Sequence, residues 1–408
     1  MTKEIVGIVS EYNPFHRGHE HQIKELRKMG YKKIVCVMSG NSVQRGELSV
    51  LDKYSRARAA VDCGADLVLE LPYPYSSSGA EFFASAALKI LNEVGATAFC
   101  FGSESADLTM LRSAAEICES DEFVKEYKEL ASGEKGTASA YFEAYKRAAK
   151  KLGCSDCDSF GASNDLLGVA YLRAIKRYDL ALIPIVIKRE GAAYNDSDVA
   201  SAKDSFPSAL MIRDAISKGN LECLSKLMPS ASLEVLEESI TNKNAPVSIK
   251  NIESAVLSFF RLCDSESLSS KEIAEGGGGL CERLGKVSHT AKSYDELVEK
   301  ASGKKYTSSR VRRVILAAMT GATEDDIRSA PSYSTVLAFN ENGRAILSKL
   351  RKKEGEIAFI VKPADAISLG GRAQRQFKLS SKLDSLYTLA KPSVSESGEY
   401  IVSSPYIK

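Results

Sequence analysis

Four apolar runs, "EIVGIVS", "KKIVCVMSG", "ADLVLELP" and "ATAFCFGSES", punctuate the first third of the chain, with helical stretches between them. Each run is apolar at nearly every position, as a strand covered on both faces must be; a strand with one wet face would alternate. Strand and helix recurring about every thirty residues is the pattern of βαβ units and a parallel sheet. The chain is therefore expected to be α/β, a doubly wound parallel sheet, with a further helix over "SNDLLGVAYLRAIKR", where Ser163 or Asn164 serves as cap, and a further strand in "LALIPIVIKR". After about Ser217 the texture changes. "LECLSKLMPSASLEVLEESI", "SIKNIESAVLSFFRLC" and "YTSSRVRRVILAAMTG" repeat apolar positions at helical spacing with no strand between. The expected organisation is an α/β domain over 1–218, a helical domain over 219–330 and a small mixed α/β piece over 331–408.

At 408 residues the chain exceeds what one compact core organises. No apolar run reaches the roughly 20 residues that cross a bilayer, and the start runs into a strand without the features of a signal peptide, so a cytoplasmic protein without membrane contact is expected. Nine cysteines, an odd number, point to reduced and mostly buried thiols rather than a disulfide framework. "CSDC", Cys154 to Cys157, has no second pair or nearby histidine to complete a zinc set, and reads as a structural or incidental pair. The formal net charge of +2 identifies no partner, because a neutral total can hide a basic face.

Histidine is where the sequence becomes specific. Of four in the chain, His16, His19 and His21 fall within "YNPFHRGHEHQ", straight after the first apolar run. In a parallel sheet, ligands sit beyond the carboxyl ends of the strands, and this is where the first strand hands over to the first helix. A helix N-terminus offers unpaired N–H groups and partial positive charge, which favour an anion. Gly18 lets a phosphate approach, Asn13 and Pro14 shape the turn, and His16 and His19 can present ring N–H donors to one group. H-x-G-H at this place is the phosphate-binding arrangement of the nucleotidyltransferase (HIGH) superfamily. A chance surface cluster and a metal site are the alternatives; the metal reading lacks H-E-x-x-H and has only His289 to add. His21 faces away and is expected to be solvated or supporting. A second element is expected in "FPSALMIRDAI", where Ser208 opens a helix and Arg213 sits one turn inside, suited to the outer phosphates.

"GIVSEYNPFHRGHEHQI", "VMSGNSVQRGE", "DKYSRARAAVDCGADLVLELP", "FCFGSES", "SNDLLGVAYLRAI", "IKREGAAYND" and "KKYTSSRVRRVIL" together resemble the bacterial tRNA(Met) cytidine acetate ligase family over essentially the whole chain, least from about 220 to 287. The resemblance implies an enzyme that activates acetate with ATP as acetyl-AMP, releasing pyrophosphate, and acetylates the exocyclic amine of the wobble cytidine of elongator tRNA(Met). It carries over an ATP site over Gly7, Ile8, Val9, Ser10, Glu11, Tyr12, Asn13, Pro14, Phe15, His16, Arg17, Gly18, His19 and Glu20, with His16 and His19 catalytic, and further contacts from Gly102, Asn164 and Arg189. Two departures stand out: Ala193 and Asn195 in "GAAYND" replace glycine and histidine, and Leu210 replaces a hydroxyl in the second phosphate element.

Acetate is already an anion, so its attack on the α-phosphorus needs positioning and charge stabilisation but no protein nucleophile. Mg²⁺ bound through the phosphates is expected, with no protein ligand set for it. The tRNA side is expected over 300–408, where cations cluster: Lys304, Lys305, Arg310, Arg312 and Arg313, then Lys349, Arg351, Lys352 and Lys353, then Arg372, Arg375 and Lys378. Tyr306 would stack on a base or pack internally. Gln44, Arg45, Asp52, Lys53, Arg56 and Arg58, just after the second strand, are candidates to hold acetate or tRNA, or else to pair among neighbouring carboxylates. A small-molecule adenylyltransferase of the phosphopantetheine or nicotinamide mononucleotide type shares H-x-G-H but needs no such basic extension. A non-catalytic RNA-binding protein is the other alternative. An aminoacyl-tRNA synthetase is set aside because K-M-S-K-S is missing.

Overall fold

The computed structural model describes residues 3–131, 137–154, 162–189, 208–263, 268, 272–352 and 354–408. The apolar runs form β1 (Ile5–Ser10), β2 (Lys33–Ser39), β3 (Leu67–Leu71), β4 (Ala98–Ser103) and β5 (Ile183–Lys188), all mutually parallel in the order β5-β4-β1-β2-β3. Between them lie α1 (Arg17–Lys28), α2 (Lys53–Asp62), α3 (Ala80–Glu93), α4 (Leu108–Cys118), α5 (Asp121–Ala131), α6 (Thr137–Lys151) and α7 (Ser163–Arg177). Ile23 and Leu26 of α1 and Ala57, Ala60 and Val61 of α2 pack on one face, where Val6, Ile8, Ile34 and Cys36 point. Leu88 and Leu91 of α3 and Val169 and Tyr171 of α7 pack on the other, with Val35, Val37 and Phe99. This alternation explains why the strands are apolar throughout. The sheet order reverses at β1, with β2 on one side and β4 on the other, and a crevice opens there at the carboxyl ends.

The chain continues through α8 (Ala209–Ser217), α9 (Leu224–Leu227) and α10 (Ser230–Thr241), which close over Val50 and Leu51 through Met211, Ile212, Leu224 and Leu236. Next come α11 (Glu253–Leu262), α12 (Leu280–Ser288), α13 (Tyr294–Ala301), α14 (Ser308–Thr320) and α15 (Glu324–Arg328), a helical layer with its own core. The last segment holds β6 (Tyr333–Phe339), α16 (Glu341–Leu350), β7 (Ala358–Ile360), α17 (Gly371–Leu389), α18 (Glu399–Val402) and β8 (Tyr406–Ile407). Its strands join the main sheet, β6 running antiparallel beside β3 and carrying β7 and β8 as parallel neighbours.

Helix α17 is joined to the first strands by buried polar contacts. Lys53 Nζ lies 2.9 Å from Glu70 Oε1 and 2.8 Å from Asp384 Oδ2, all three side chains being less than 10% exposed. Asn41 Nδ2 donates to Asp384 Oδ1 at 2.8 Å, and Tyr387 Oη donates to the Ser49 carbonyl at 2.9 Å. Among the described residues no helix is long and apolar enough to cross a membrane. Among the described residues seven cysteines are free, including Cys36, Cys100 and Cys118 in the core. Cys154, against the expectation of reduced thiols, is disulfide-bonded; Cys157 lies outside the described residues.

Candidate active site

The turn from β1 into α1 is fixed by its own side chains. Tyr12 takes a left-handed backbone at φ 44, uncommon for an aromatic residue, and is fully buried with its hydroxyl 3.3 Å from Cys36 Sγ. The Asn13–Pro14 peptide is cis. Asn13 Oδ1 accepts from the Val50 amide at 2.9 Å, the Phe15 carbonyl accepts from Ser232 Oγ at 2.9 Å, and Phe15 is buried. These contacts place His16 as the N-cap of α1, where its Nδ1 accepts the Gly18 amide at 3.1 Å. His19 Nδ1 in turn accepts the His16 amide at 3.2 Å, and the two rings stack with centroids 3.6 Å apart.

The protonation of this pair follows from its contacts. Burial, then the nearby cations Arg189 and Arg213, hold His16 down to about 3. Burial, then His16 and Arg189, hold His19 well below the usual imidazole range. Both rings are therefore neutral near pH 7. Each Nδ1 already accepts a backbone N–H, so each ring proton sits on Nε2. The result is two uncharged N–H donors at a helix N-terminus, a combination suited to phosphoryl oxygens.

This assignment has a thermodynamic consequence. Unfolded, His16 would take up a proton near pH 6.5; folded, it refuses one until about pH 3. Stability is thus lost as pH falls below 6.5, and His16 contributes about 2 kcal/mol of the loss between pH 7 and pH 5. Denaturant unfolding of the native protein and of His16→Gln at both pH values checks this. The native chain should lose about 2 kcal/mol more than the variant; parallel losses would show that His16 is not held neutral.

Other expected contacts gather round the same crevice. Gly102 is tight against Arg189, since a Cβ there would come within 2.9 Å of Arg189 Cγ. Arg189 Nη1 donates to Asn164 Oδ1 at 3.3 Å, joining three of the carried-over positions. Arg213 Nη1 donates to the Asn13 carbonyl at 3.0 Å, and Ser208 caps α8 through the Met211 amide at 3.2 Å. Leu210 lies half-exposed in the first turn of α8; Ala193 and Asn195 lie outside the described residues. Glu11 is partly open at the end of β1, with Oε1 accepting the Gln44 amide at 3.0 Å. Burial raises the Glu11 carboxyl pKa, opposed by the Gln44 amide and the cations Arg213 and Arg45.

Several residues are placed elsewhere. Gly7 is a packing position, because a Cβ would come within 2.4 Å of Leu91, and the Ile8 side chain lies wholly in the core. Val9 packs against the core on the opposite face. Arg17 donates to the carbonyls of Lys226 and Ser225 at 2.9 and 3.1 Å, and Glu20 pairs with Lys24 at 2.8 Å. His21 is half-buried on α1. The cap of α7 is also a correction: neither Ser163 nor Asn164 is the N-cap, which is Ala162 with no side-chain bond. Glu104, just beyond β4, serves instead, its Oε2 accepting the Asn164 and Asp165 amides at 3.1 and 3.2 Å. Asp165 reciprocates by accepting the Glu104 amide at 3.1 Å. Sequence reading missed both carboxylates; the acid in "FGSES" was the available signal.

The candidates after β2 are mostly structural. Arg56 is fully buried and donates to the carbonyls of Leu51, Glu11, Ser39 and Gly40. Lys53 belongs to the buried trio, Asp52 caps α2, and Arg58 pairs with Glu238 at 2.8 Å. Among the basic residues of 300–408, Arg313 pairs with Glu275 at 2.6 Å, Arg312 with Glu47 at 3.2 Å and Arg375 with Asp326 at 2.6 Å. Arg310 and Lys305 reach the carbonyls of Gly277 and Gly278 at 2.9 and 2.8 Å. Tyr306 is buried and donates to the Gly278 carbonyl, so it packs rather than presenting a face for a base. Lys304, Lys349, Arg351, Lys352, Arg372 and Lys378 are exposed; Lys353 lies outside the described residues. Among the described residues, no group of three or more His, Cys, Asp or Glu is placed to hold a metal ion.

Comparison with known proteins identifies the family and the fold. The model of the HIGH Nucleotidyl Transferase family matches residues 3–400. A tRNA(Met) cytidine acetate ligase of Acetivibrio thermocellus is 33% identical over 401 residues, covering 95% of each chain. One from Clostridium perfringens is 31% identical over 411 residues, covering 98% of each. Among solved structures, Thermotoga maritima TmcAL bound with alpha-thio ATP superposes with a TM-score of 0.90 at 29% identity, covering 99% of both chains.

Proposed function

The chain belongs to the HIGH nucleotidyltransferases and, among them, to the tRNA(Met) cytidine acetate ligase family of ATP-dependent ligases; on that premise we propose that it joins acetate to ATP as acetyl-AMP and then acetylates the wobble cytidine of elongator tRNA(Met). The observation that carries the first step is the stacked neutral pair His16 and His19, with both Nε2–H groups free to donate at the N-terminus of α1. An acetate oxygen attacks the α-phosphorus in line, the bond to the bridging oxygen breaks, and pyrophosphate leaves. Charge builds on the non-bridging α-oxygens, where fixed neutral donors stabilise it without reorganisation. Arg189 and Arg213 flank the pair, and Arg213, anchored on the Asn13 carbonyl, would meet the departing pyrophosphate. Mg²⁺ would be held by the phosphates themselves and would neutralise their charge.

For the second substrate, the support is the exposed set Lys304, Lys349, Arg351, Lys352, Arg372 and Lys378. A tRNA gripped through its phosphates at such positions should lose affinity on the order of 10²–10³-fold between 50 and 200 mM salt. Replacing Arg351, Lys352 and Arg372 by Gln should make that dependence shallower by about 0.7–0.9 in log–log slope per contact. Replacing Arg313, which holds Glu275, should instead lower stability and leave the slope alone. Filter binding at several salt concentrations checks both; an unchanged slope in the triple variant would remove this surface from the account. The reading as a whole is tested by incubating the protein with labelled acetate, ATP and total tRNA. Label should appear in N4-acetylcytidine of elongator tRNA(Met), and label remaining wholly in small molecules would contradict it.

A further inference from the structure

The two half-reactions proposed above differ in one respect that the site must answer. Acetate brings no proton to the first step, whereas the cytidine amine must lose one in the second. The imidazoles cannot take it: each Nδ1 accepts a backbone N–H, each Nε2 carries the ring proton, and burial resists a further charge. Asp165 is buried, with three donors, two amides and Ser103 Oγ, all on its Oδ1. Glu104 caps α7, and Glu20 is paired with Lys24. Glu11 differs from all of these in joining a free oxygen to a partly open side chain. Its Oε1 is fixed by the Gln44 amide, and its second oxygen has no hydrogen-bond partner among the described residues. It stands at the end of β1, five residues before His16, with part of its surface open. Arg213 relates the two: its charge acts on both Glu11 and His16 while its side chain holds the Asn13 carbonyl between them.

We propose that Glu11 is the general base of acetyl transfer. The amine nitrogen bonds to the acetyl carbon, the proton passes from that nitrogen to the free oxygen of Glu11, and the carbonyl re-forms as the bond to the phosphate oxygen breaks and AMP leaves. The proton then returns to water. This inference rests on the acetyl-AMP reading. Burial, which raises the carboxyl of Glu11, makes it a better base than a solvated carboxylate.

Glu11→Gln is nearly isosteric and keeps an oxygen for the Gln44 amide. Two readouts are needed: acetate-dependent ATP–pyrophosphate exchange without tRNA, and single-turnover transfer from preformed acetyl-AMP to tRNA. Transfer should fall on the order of 10²–10³-fold, exchange by less than a tenth of that factor, and Glu11→Asp should recover part of the transfer. Equal losses in both steps, or transfer retained within about threefold, would overturn the assignment, since a general base should contribute about 10²–10⁴. A native enzyme without acetate-dependent exchange would overturn the reading beneath it, and the proposal with it.

Discussion

Replacing His16 or His19 by alanine should lower acetate-dependent AMP formation on the order of 10²–10³-fold each, and replacing both should bring it to background. Each ring contributes an Nε2–H donor to the same small volume, with the centroids only 3.6 Å apart. Donors so close act as a unit, so the double variant should lose less than the product of the single losses. Each imidazole also accepts a backbone N–H of the α1 N-terminus, so alanine removes a cap worth about 1 kcal/mol. Rates must therefore be compared below the temperature at which either variant begins to unfold. Equilibrium affinity for tRNA should stay within about twofold, because His16 is buried, His19 is only partly open and the exposed cations lie on other elements; a twofold change is only about 0.4 kcal/mol. Near-native turnover in the double variant would leave the pair no catalytic role.

The largest effect on stability should come from Lys53→Met. Burial works against the Lys53 charge, but Asp384 and Glu70 outweigh it and hold the ammonium protonated well above the usual lysine range. Removing that charge leaves two carboxylates facing each other in a dry interior. Breaking a buried network from one side costs about 3–5 kcal/mol. The loss should appear as a lower urea midpoint, and Lys53→Met combined with Glu70→Gln and Asp384→Asn should recover much of it, since the carboxylates are then neutral. A single variant within about 1 kcal/mol of the native protein would mean that the Asp384 carboxyl, raised by burial to about 6, protonates at little cost.

How much of this was legible in the sequence depends on the range of the interaction. The β1–β5 strands and α1 could be read because continuous apolar runs and helical periodicity are local consequences of two-sided burial. His16, Gly18 and His19 could be read because the helix N-terminus they form is built within four residues. Longer-range features could not. That β6 pairs antiparallel with β3 depends on Val68 meeting Ala338, which no local pattern encodes. Lys53 and Arg56 looked like ligand candidates because charge in a loop after a strand usually faces solvent. Their partners, Asp384 and the carbonyls of Glu11, Ser39 and Gly40, lie far along the chain, and together they turn surface residues into interior ones. Arg313, within the basic run, is likewise paired with Glu275 from a loop nearly forty residues earlier, a contact that no local pattern encodes.

The most direct measurement is ATP–pyrophosphate exchange with labelled pyrophosphate and no tRNA. Label should enter ATP when acetate is present, and should not when acetate is omitted or replaced by phosphopantetheine or nicotinamide mononucleotide. Exchange indifferent to acetate, or driven by either of those phosphates, would contradict the acetyl-AMP reading.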